Sequence, residues 1–203
     1  MARETLRLGF MPLADAALPV IAARLGIAQR HGLTLELCRE TSWANIRDRL
    51  AVGHFDAAHL LAPMPVATAL GLMPVQVPLI APMALGLGGN AITVSNALWR
   101  EMQAMLPAVA AGDPVSTGVA LRRVSQARRS AGAPPLAFAV VHAFSAHNYE
   151  LRYWLAASGL SPDADVNIGI ISPPFMPAAL AQGGLDGFCV GEPWNTLATA
   201  QGR

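Results

Sequence analysis

The residues best suited to chemistry lie where predicted strands pass into predicted helices. These junctions hold few charged side chains. Small residues, prolines and aromatic rings recur in them, and histidine occurs in one: FMPLADAA (10–17), ETSWAN (40–45), APMP (62–65), HAFSAHN (142–148), SPPFMP (172–177) and GEPWN (191–195). Small residues let the backbone approach a ligand, and the N–H groups of a helix N-terminus hold an anion without a full positive charge. The junctions therefore predict a site for a small oxyanion.

Two side chains at these junctions are candidate ligands. Trp43 opens a predicted helix (42–53) that Ser42 caps; there its ring could wall off a ligand and its indole N–H could donate to it. The alternative interpretation places Trp43 in the core, where most apolar residues lie. His147 lies at the start of another predicted helix and could contact an anion, or it could be an ordinary helix cap or surface histidine.

Other kinds of site lack their sequence signatures. The five histidines and two cysteines show no metal-ligand spacing. Cys38 and Cys189 fall within predicted strands and are expected to be buried small hydrophobic residues, although a disulfide between them stays open. The sequence contains no Ser–His–Asp order, glycine-rich phosphate loop or paired carboxylates. We therefore expect no enzyme, no metal and no cofactor.

The elements that must position these residues alternate between strand and helix. Strands are predicted at 5–12, 33–40, 56–62, 77–89, 90–95, 136–141, 165–172 and 185–191. Helices are predicted between them, including 16–32, 42–53, 119–132 and 145–159. This alternation is typical of parallel sheets with helices on both faces. The sequence thus predicts an α/β fold with a first lobe at 1–95 and a second lobe at 96–203.

Composition and the two ends of the chain add further expectations. A net charge of +1 over 203 residues argues against nucleic-acid or membrane-surface binding. From Ala57 to Trp99 no Asp, Glu, Lys or Arg occurs, but prolines interrupt the stretch too often for a membrane-spanning helix. Arg7 and Asp15 interrupt the apolar stretch at the N-terminus and TLRLGF (5–10) alternates like a strand, which argues against a signal peptide. It stops just after a helix has begun, so we expect a C-terminally truncated piece of a longer protein.

Four stretches resemble a known family: SWANIRDRLAVGHFDAAHLLAPMP (42–65), GNAITVS (89–95), HNYELRYWLAASGLSPDADV (147–166) and GFCVGEPWN (187–195). They resemble the nitrate/bicarbonate-binding proteins of bacterial ABC transporters, and equally the cytoplasmic nitrate sensor that restrains an RNA-binding antiterminator. The resemblance covers nearly the whole chain. It implies a type II periplasmic-binding-protein-like fold with the anion in the cleft between two lobes.

The resemblance also implies a set of ligand-binding residues for nitrate or nitrite. The pocket-lining Trp of the family corresponds to Trp43, its histidine to His147 and its proline to Pro173. The Gln of the nitrate receptors corresponds to Asn90, which keeps the amide donor on a shorter side chain. A Lys that pairs with nitrate in the receptors has no counterpart, because every basic residue other than histidine in this chain is Arg.

Three functions remain open at this stage. The first is a cytoplasmic nitrate or nitrite sensor with an RNA-binding antiterminator protein as its partner, which the early first strand favours. The second is the periplasmic substrate-binding component of an ABC importer, with a permease as its partner. The third is an enzyme on the same fold, such as the pyrimidine-forming enzymes of thiamine synthesis, but it needs a reactive His and a Cys cluster that this sequence lacks.

Overall fold

The chain folds into two compact units, as seen in a computed structural model that describes residues 4–202. The first unit comprises the chain up to Gly89 and two short returning segments, Phe144–Ala146 and Gly191–Pro193. The second unit comprises Asn90–Ala143, His147–Val190 and the residues from Trp194 onward. Each unit holds one β-sheet and its own helices, so the predicted α/β architecture is confirmed.

A three-stranded parallel sheet with β1 in its centre forms the base of the first unit. β1 (Glu4–Phe10) pairs on one side with β2 (Leu33–Arg39) and on the other with β3 (Ala57–Ala58). The helices of this unit are α1 (Ala17–Arg24), α2 (Ile27–Arg30), α3 (Trp43–Ala51) and α4 (Pro63–Ala69). Because the strands are parallel, all three end at the same side of the sheet, which we call the first carboxyl edge.

A four-stranded sheet forms the base of the second unit, with the strand order β4-β7-β5-β6. The strands are β4 (Asn90–Val94), β5 (Leu136–Val140), β6 (Val166–Ile170) and β7 (Gly187–Gly191). The helices are α5 (Asn96–Met105), α6 (Pro114–Ser130), α7 (Ala146–Ala157), α8 (Met176–Ala181) and α9 (Trp194–Ala200). β5 runs parallel to both β6 and β7, and we call the side on which these three strands end the second carboxyl edge.

The core of the second unit surrounds β5. Leu136, Phe138 and Val140 of this strand are at most 1% exposed, and they share one buried cluster with Leu121 of α6 and Leu151 of α7. A run of apolar residues at successive strand positions is typical of a parallel strand that is covered on both faces. The second sheet is therefore a rigid base for the residues at its carboxyl edge.

Two predicted elements in the first unit are wrong. The helix expected at 16–32 is divided into α1 and α2, because Gly26 adopts a left-handed backbone conformation with φ of 68°. The strand expected at 77–89 does not form, and Ile80 and Leu87 in this segment are at least 90% exposed. Pro78 and Pro82 remove backbone donors that a sheet ladder needs, so the apolar composition of the segment was a misleading signal.

Helix boundaries also differ from the predicted ones. α6 was expected to begin at Val119 but begins at Pro114, because the carboxylate of Asp113 accepts hydrogen bonds from the N–H groups of Val115 and Ser116. Ser42 does precede α3, but its side chain makes no capping hydrogen bond. The predicted start of α3 is therefore right, although the predicted reason for it is wrong.

The division between the units differs from the predicted lobe boundary at 95/96. It lies between Gly89 and Asn90, because β4 joins the sheet of the second unit beside β7. The chain returns to the first unit at Gly191–Pro193, but α9 belongs to the second unit. Strand pairing, which the local sequence pattern does not reveal, decides where β4 belongs.

The described part of the chain also bears on the membrane and metal expectations. None of the helices within residues 4–202 combines the length and apolarity that crossing a bilayer requires. Over the same residues, His, Cys, Asp and Glu form no group of three or more that could hold a metal ion. Cys189 is buried as predicted, whereas Cys38 is only half-buried, and both are free thiols.

Candidate functional site

The first carboxyl edge brings together three side chains that are distant in sequence. Asp15 lies in the turn of 3-10 helix (Ala14–Ala16) that follows β1, Trp43 is the first residue of α3 after β2, and His59 follows β3 directly. In sheets of parallel strands, ligands bind beyond the carboxyl ends of the strands. This edge is therefore the candidate site of the first unit.

Trp43 is 1% exposed and packs against the ring of His59. The two ring centroids are 4.9 Å apart and the ring planes meet at 81°, an edge-to-face arrangement. The indole Nε1 of Trp43 is buried and has no hydrogen-bond partner within residues 4–202. An indole N–H can only donate, so the site offers one unused buried donor.

His59 is 3% exposed and is held by the carboxylate of Asp15. Its Nε2 lies 3.1 Å from Asp15 Oδ2, and its backbone N–H donates to the carbonyl oxygen of Gly9 at 2.9 Å. Burial by itself raises the pKa of Asp15. The hydrogen bond and the charge of His59 lower this pKa by more than burial raises it, so the pKa of Asp15 lies below its ordinary value. Asp15 is consequently ionised near neutral pH and fixes the imidazole ring from one side.

A second carboxylate at this edge has its own cationic partner. Glu40, the residue after β2, is 7% exposed, and its Oε1 lies 2.7 Å from the guanidinium of Arg49 in α3. Asn45 Nδ2 donates to its other oxygen at 3.5 Å. The negative charge of Glu40 is thus balanced within the unit.

The second carboxyl edge carries two of the residues that the resemblance implies. His147 lies in the first turn of α7 after β5 and is 4% exposed. Pro173 is buried in the turn of 3-10 helix after β6. Trp194 begins α9 after β7, and its buried Nε1 has no hydrogen-bond partner in the described chain. His147 and Pro173 therefore lie at the edge predicted for them, within the second unit.

Asn90 is the first residue of β4 and its side chain is already engaged. Its Nδ2 donates to Glu150 Oε2 of α7 at 3.0 Å. This hydrogen bond places the amide near the first turns of α7, while it commits one of the two amide hydrogens. The role of Asn90 as a ligand stays a prediction, as do those of Trp43, His147 and Pro173.

Sequence reasoning missed His59 and Trp194 as candidates. The strand predicted at 56–62 placed His59 inside a strand, but β3 ends at Ala58, so His59 lies at the carboxyl edge. Trp194 lies in GEPWN, a junction that the sequence did identify, but it was not among the candidate ligands. For His59 the missing information was the end of the strand, because β3 ends four residues before the predicted end at 62.

The fold is that of the periplasmic binding proteins. The chain superposes on the crystal structure of the periplasmic nitrate-binding protein NrtA from Synechocystis PCC 6803 with a TM-score of 0.83 and 28% identity, covering 98% of this chain and 50% of that one. The periplasmic aliphatic sulphonate binding protein SsuA from Escherichia coli shares the fold at a TM-score of 0.56 and 16% identity. Within this class, the chain belongs to the NMT1-like family, whose family model matches residues 2–203.

Curated relatives confirm the resemblance that the motifs carry. The chain is 34% identical to the nitrate/nitrite binding protein NrtA of Nostoc sp., over 96% of this chain and 42% of that protein. It is 36% identical to the bicarbonate transport ATP-binding protein CmpC of Synechocystis sp., over 98% of this chain and 28% of that protein. The chain thus spans less than half the length of these two relatives.

Proposed function

We propose that this chain binds a small planar oxyanion, nitrate or a close analogue such as nitrite or hydrogen carbonate, as part of the substrate-binding component of an ABC importer. The observation that carries the proposal is the buried indole N–H of Trp43 at the first carboxyl edge, which has no acceptor within the described residues. A buried donor without an acceptor costs free energy, and a bound oxyanion would supply the acceptor. The proposed function is binding, not catalysis.

The chemistry of the first carboxyl edge is compatible with such an anion. Trp43 is the first residue of α3, so the positive end of a helix with unsatisfied N–H groups lies beside its side chain. Glu40 and Asp15 are each held by a partner, Arg49 and His59 respectively. The donors left for a ligand, the indole N–H and the backbone N–H groups at the start of α3, are neutral. Neutral donors recognise the shape of an oxyanion more than its net charge.

His147 and Pro173 are the further ligands that we propose, from the second unit. Both are buried and both follow strands that end at the second carboxyl edge. Asn90 is the weaker candidate, since its amide already donates to Glu150.

The importer function replaces the sensor function that the sequence favoured. The relatives described above are named for binding and transport, and none is named as a partner of an antiterminator. An ABC permease is accordingly the proposed protein partner and the periplasm the proposed location. The cytoplasmic sensor with its RNA-binding antiterminator has no comparable support.

A second candidate function is suggested by the similarity to ATP-binding transport proteins. A binding unit attached to such a protein would report the anion concentration to the ATPase instead of delivering the anion to a permease. The two functions differ in the partner: adding the anion-loaded chain would stimulate a permease complex in the first case, and would change the ATP hydrolysis of the ATP-binding protein in the second.

Isothermal titration of the chain with nitrate, nitrite and hydrogen carbonate tests the proposed function, with chloride as the control anion. Trp43→Phe keeps an aromatic ring but removes the N–H, and we expect it to weaken binding about tenfold or more, since a hydrogen bond to a charged group contributes about 1.5–3 kcal/mol. Trp99→Phe is the matched control, because Trp99 packs against the core of the second unit. Absence of binding by all three oxyanions, or equal losses in both variants, would overturn the proposal.

A further inference from the structure

We propose that His59 and Asp15 form a positioning pair that fixes the indole of Trp43 for anion binding. This inference rests on the proposed function of Trp43 and adds two residues to it. Neither His59 nor Asp15 needs to touch the anion. Their role is to hold the donor in one orientation before the anion arrives, which lowers the ordering cost of binding.

The geometry of three contacts carries the inference. Asp15 Oδ2 lies 3.1 Å from His59 Nε2, so the carboxylate accepts the Nε2 proton and sets the plane of the imidazole. The imidazole in turn meets the indole at 81° with 4.9 Å between centroids. The backbone of His59 is anchored to β1 through Gly9. Asp15 therefore orients His59, and His59 in turn orients Trp43.

The chemical identity of residue 59 supports a functional role. His59 is 3% exposed, and its Nδ1 is buried without a hydrogen-bond partner in the described chain. A buried polar atom that lacks a partner destabilises a fold, so packing alone would favour an apolar side chain here. An apolar ring could still contact Trp43, but it could not be anchored by Asp15. The imidazole provides both the ring and the hydrogen bond.

Fluorine NMR of chain labelled with fluorotryptophan provides a direct readout, because each of the four tryptophans gives its own signal. Trp43→Phe assigns the Trp43 signal by its disappearance. We expect Asp15→Ala and His59→Gln to shift or broaden this signal and to weaken nitrate binding roughly tenfold. Asp15→Asn keeps an acceptor for His59 Nε2–H and should preserve both the signal and the affinity. His54→Gln, at an exposed histidine of the same unit, is the matched control.

A measurement on the unsubstituted chain covers the case in which a variant does not fold. The Nε1–H of Trp43 should be as ordered as rigid backbone, with an order parameter of about 0.85, before any anion is added. A mobile indole in the anion-free chain overturns the positioning role. So does an unchanged Trp43 signal in Asp15→Ala and His59→Gln, or a loss in Asp15→Asn equal to that in Asp15→Ala. If Trp43→Phe itself leaves nitrate binding intact while the indole is ordered, the proposed function fails and the packing geometry stands.

Discussion

Trp43 and His59 pack edge to face across the end of β1, although they follow strands that are not neighbours. Trp43 comes after β2 and His59 after β3, and β1 lies between these two strands in the sheet. Asp15, from the turn after β1, completes the contact through its hydrogen bond with His59. Three strand ends are thereby joined by side chains at one edge of the first unit.

Removing the charge of Asp15 should change how stability depends on pH. Its pKa is lowered in the folded chain, so its ionisation stabilises the fold above the unfolded value of about 3.9, and this contribution is lost as the pH falls through the folded value. Asp15→Asn should therefore be less stable than the parent at neutral pH and should lose this deficit in acid. We expect a deficit of no more than about 1 kcal/mol, since the side chain is 41% exposed and solvent screens it.

Urea denaturation at a series of pH values from neutral to about 3 measures this difference. The useful quantity is the gap between the unfolding free energies of parent and variant at each pH. A gap that stays constant across the whole pH range would show that Asp15 carries no stabilising charge interaction.

Adding a methyl group at Gly118 should destabilise the contact between α6 and α7. A Cβ at this position would lie 2.9 Å from Ser158 Cβ, and Trp154 on α7 already donates its Nε1–H to Pro114 at the start of α6. Alanine normally stabilises a helix interior by about 1 kcal/mol relative to glycine. We expect Gly118→Ala to cost about 1–3 kcal/mol instead, because the crowding outweighs that gain.

Chemical denaturation of Gly118→Ala, with Ser158→Gly introduced alone and together with it, checks this prediction. Removing the Ser158 side chain should recover part of the loss, a coupling that a double-mutant cycle measures. Gln126→Ala, at an exposed position of α6, is the control and should stay within about 0.5 kcal/mol of the parent. A Gly118→Ala variant as stable as the parent would contradict the close packing of these helices.

The two cysteines should differ sharply in reactivity. Cys189 is 1% exposed, and burial together with the charge of Glu150 raises the pKa of its thiol to about 12. Cys38 is half-buried, and its pKa is raised as well, mainly by burial and to a smaller extent by the charge of Glu36. Because the thiolate is the reactive form, an alkylating reagent at about pH 8 should modify Cys38 slowly and Cys189 hardly at all.

Mass spectrometry after timed alkylation gives the extent of modification at each site. In denaturant both thiols should react at similar rates, which is the internal control for the reagent. Modification of Cys189 in the folded chain as fast as that of Cys38 would mean that β7 is not buried in the way the structure describes.

Local sequence patterns were sufficient for most of the fold. The alternating apolar residues of β1 and β2, the apolar run of β5 and the glycines that follow α3 and α7 all depend on interactions within a few residues. The motifs around Trp43 and His147 were specific enough to indicate the family and to place both residues at strand-to-helix junctions.

What the sequence alone determined is the α/β alternation, the family and the junctions at which candidate ligands lie, because each follows from local chain geometry or from a long motif. Only the tertiary structure decided that β4 belongs to the second unit and that His59 joins Trp43 and Asp15. These two outcomes depend on strand pairing and on where strands end. Both are set by contacts between residues far apart in the chain, which no local pattern encodes.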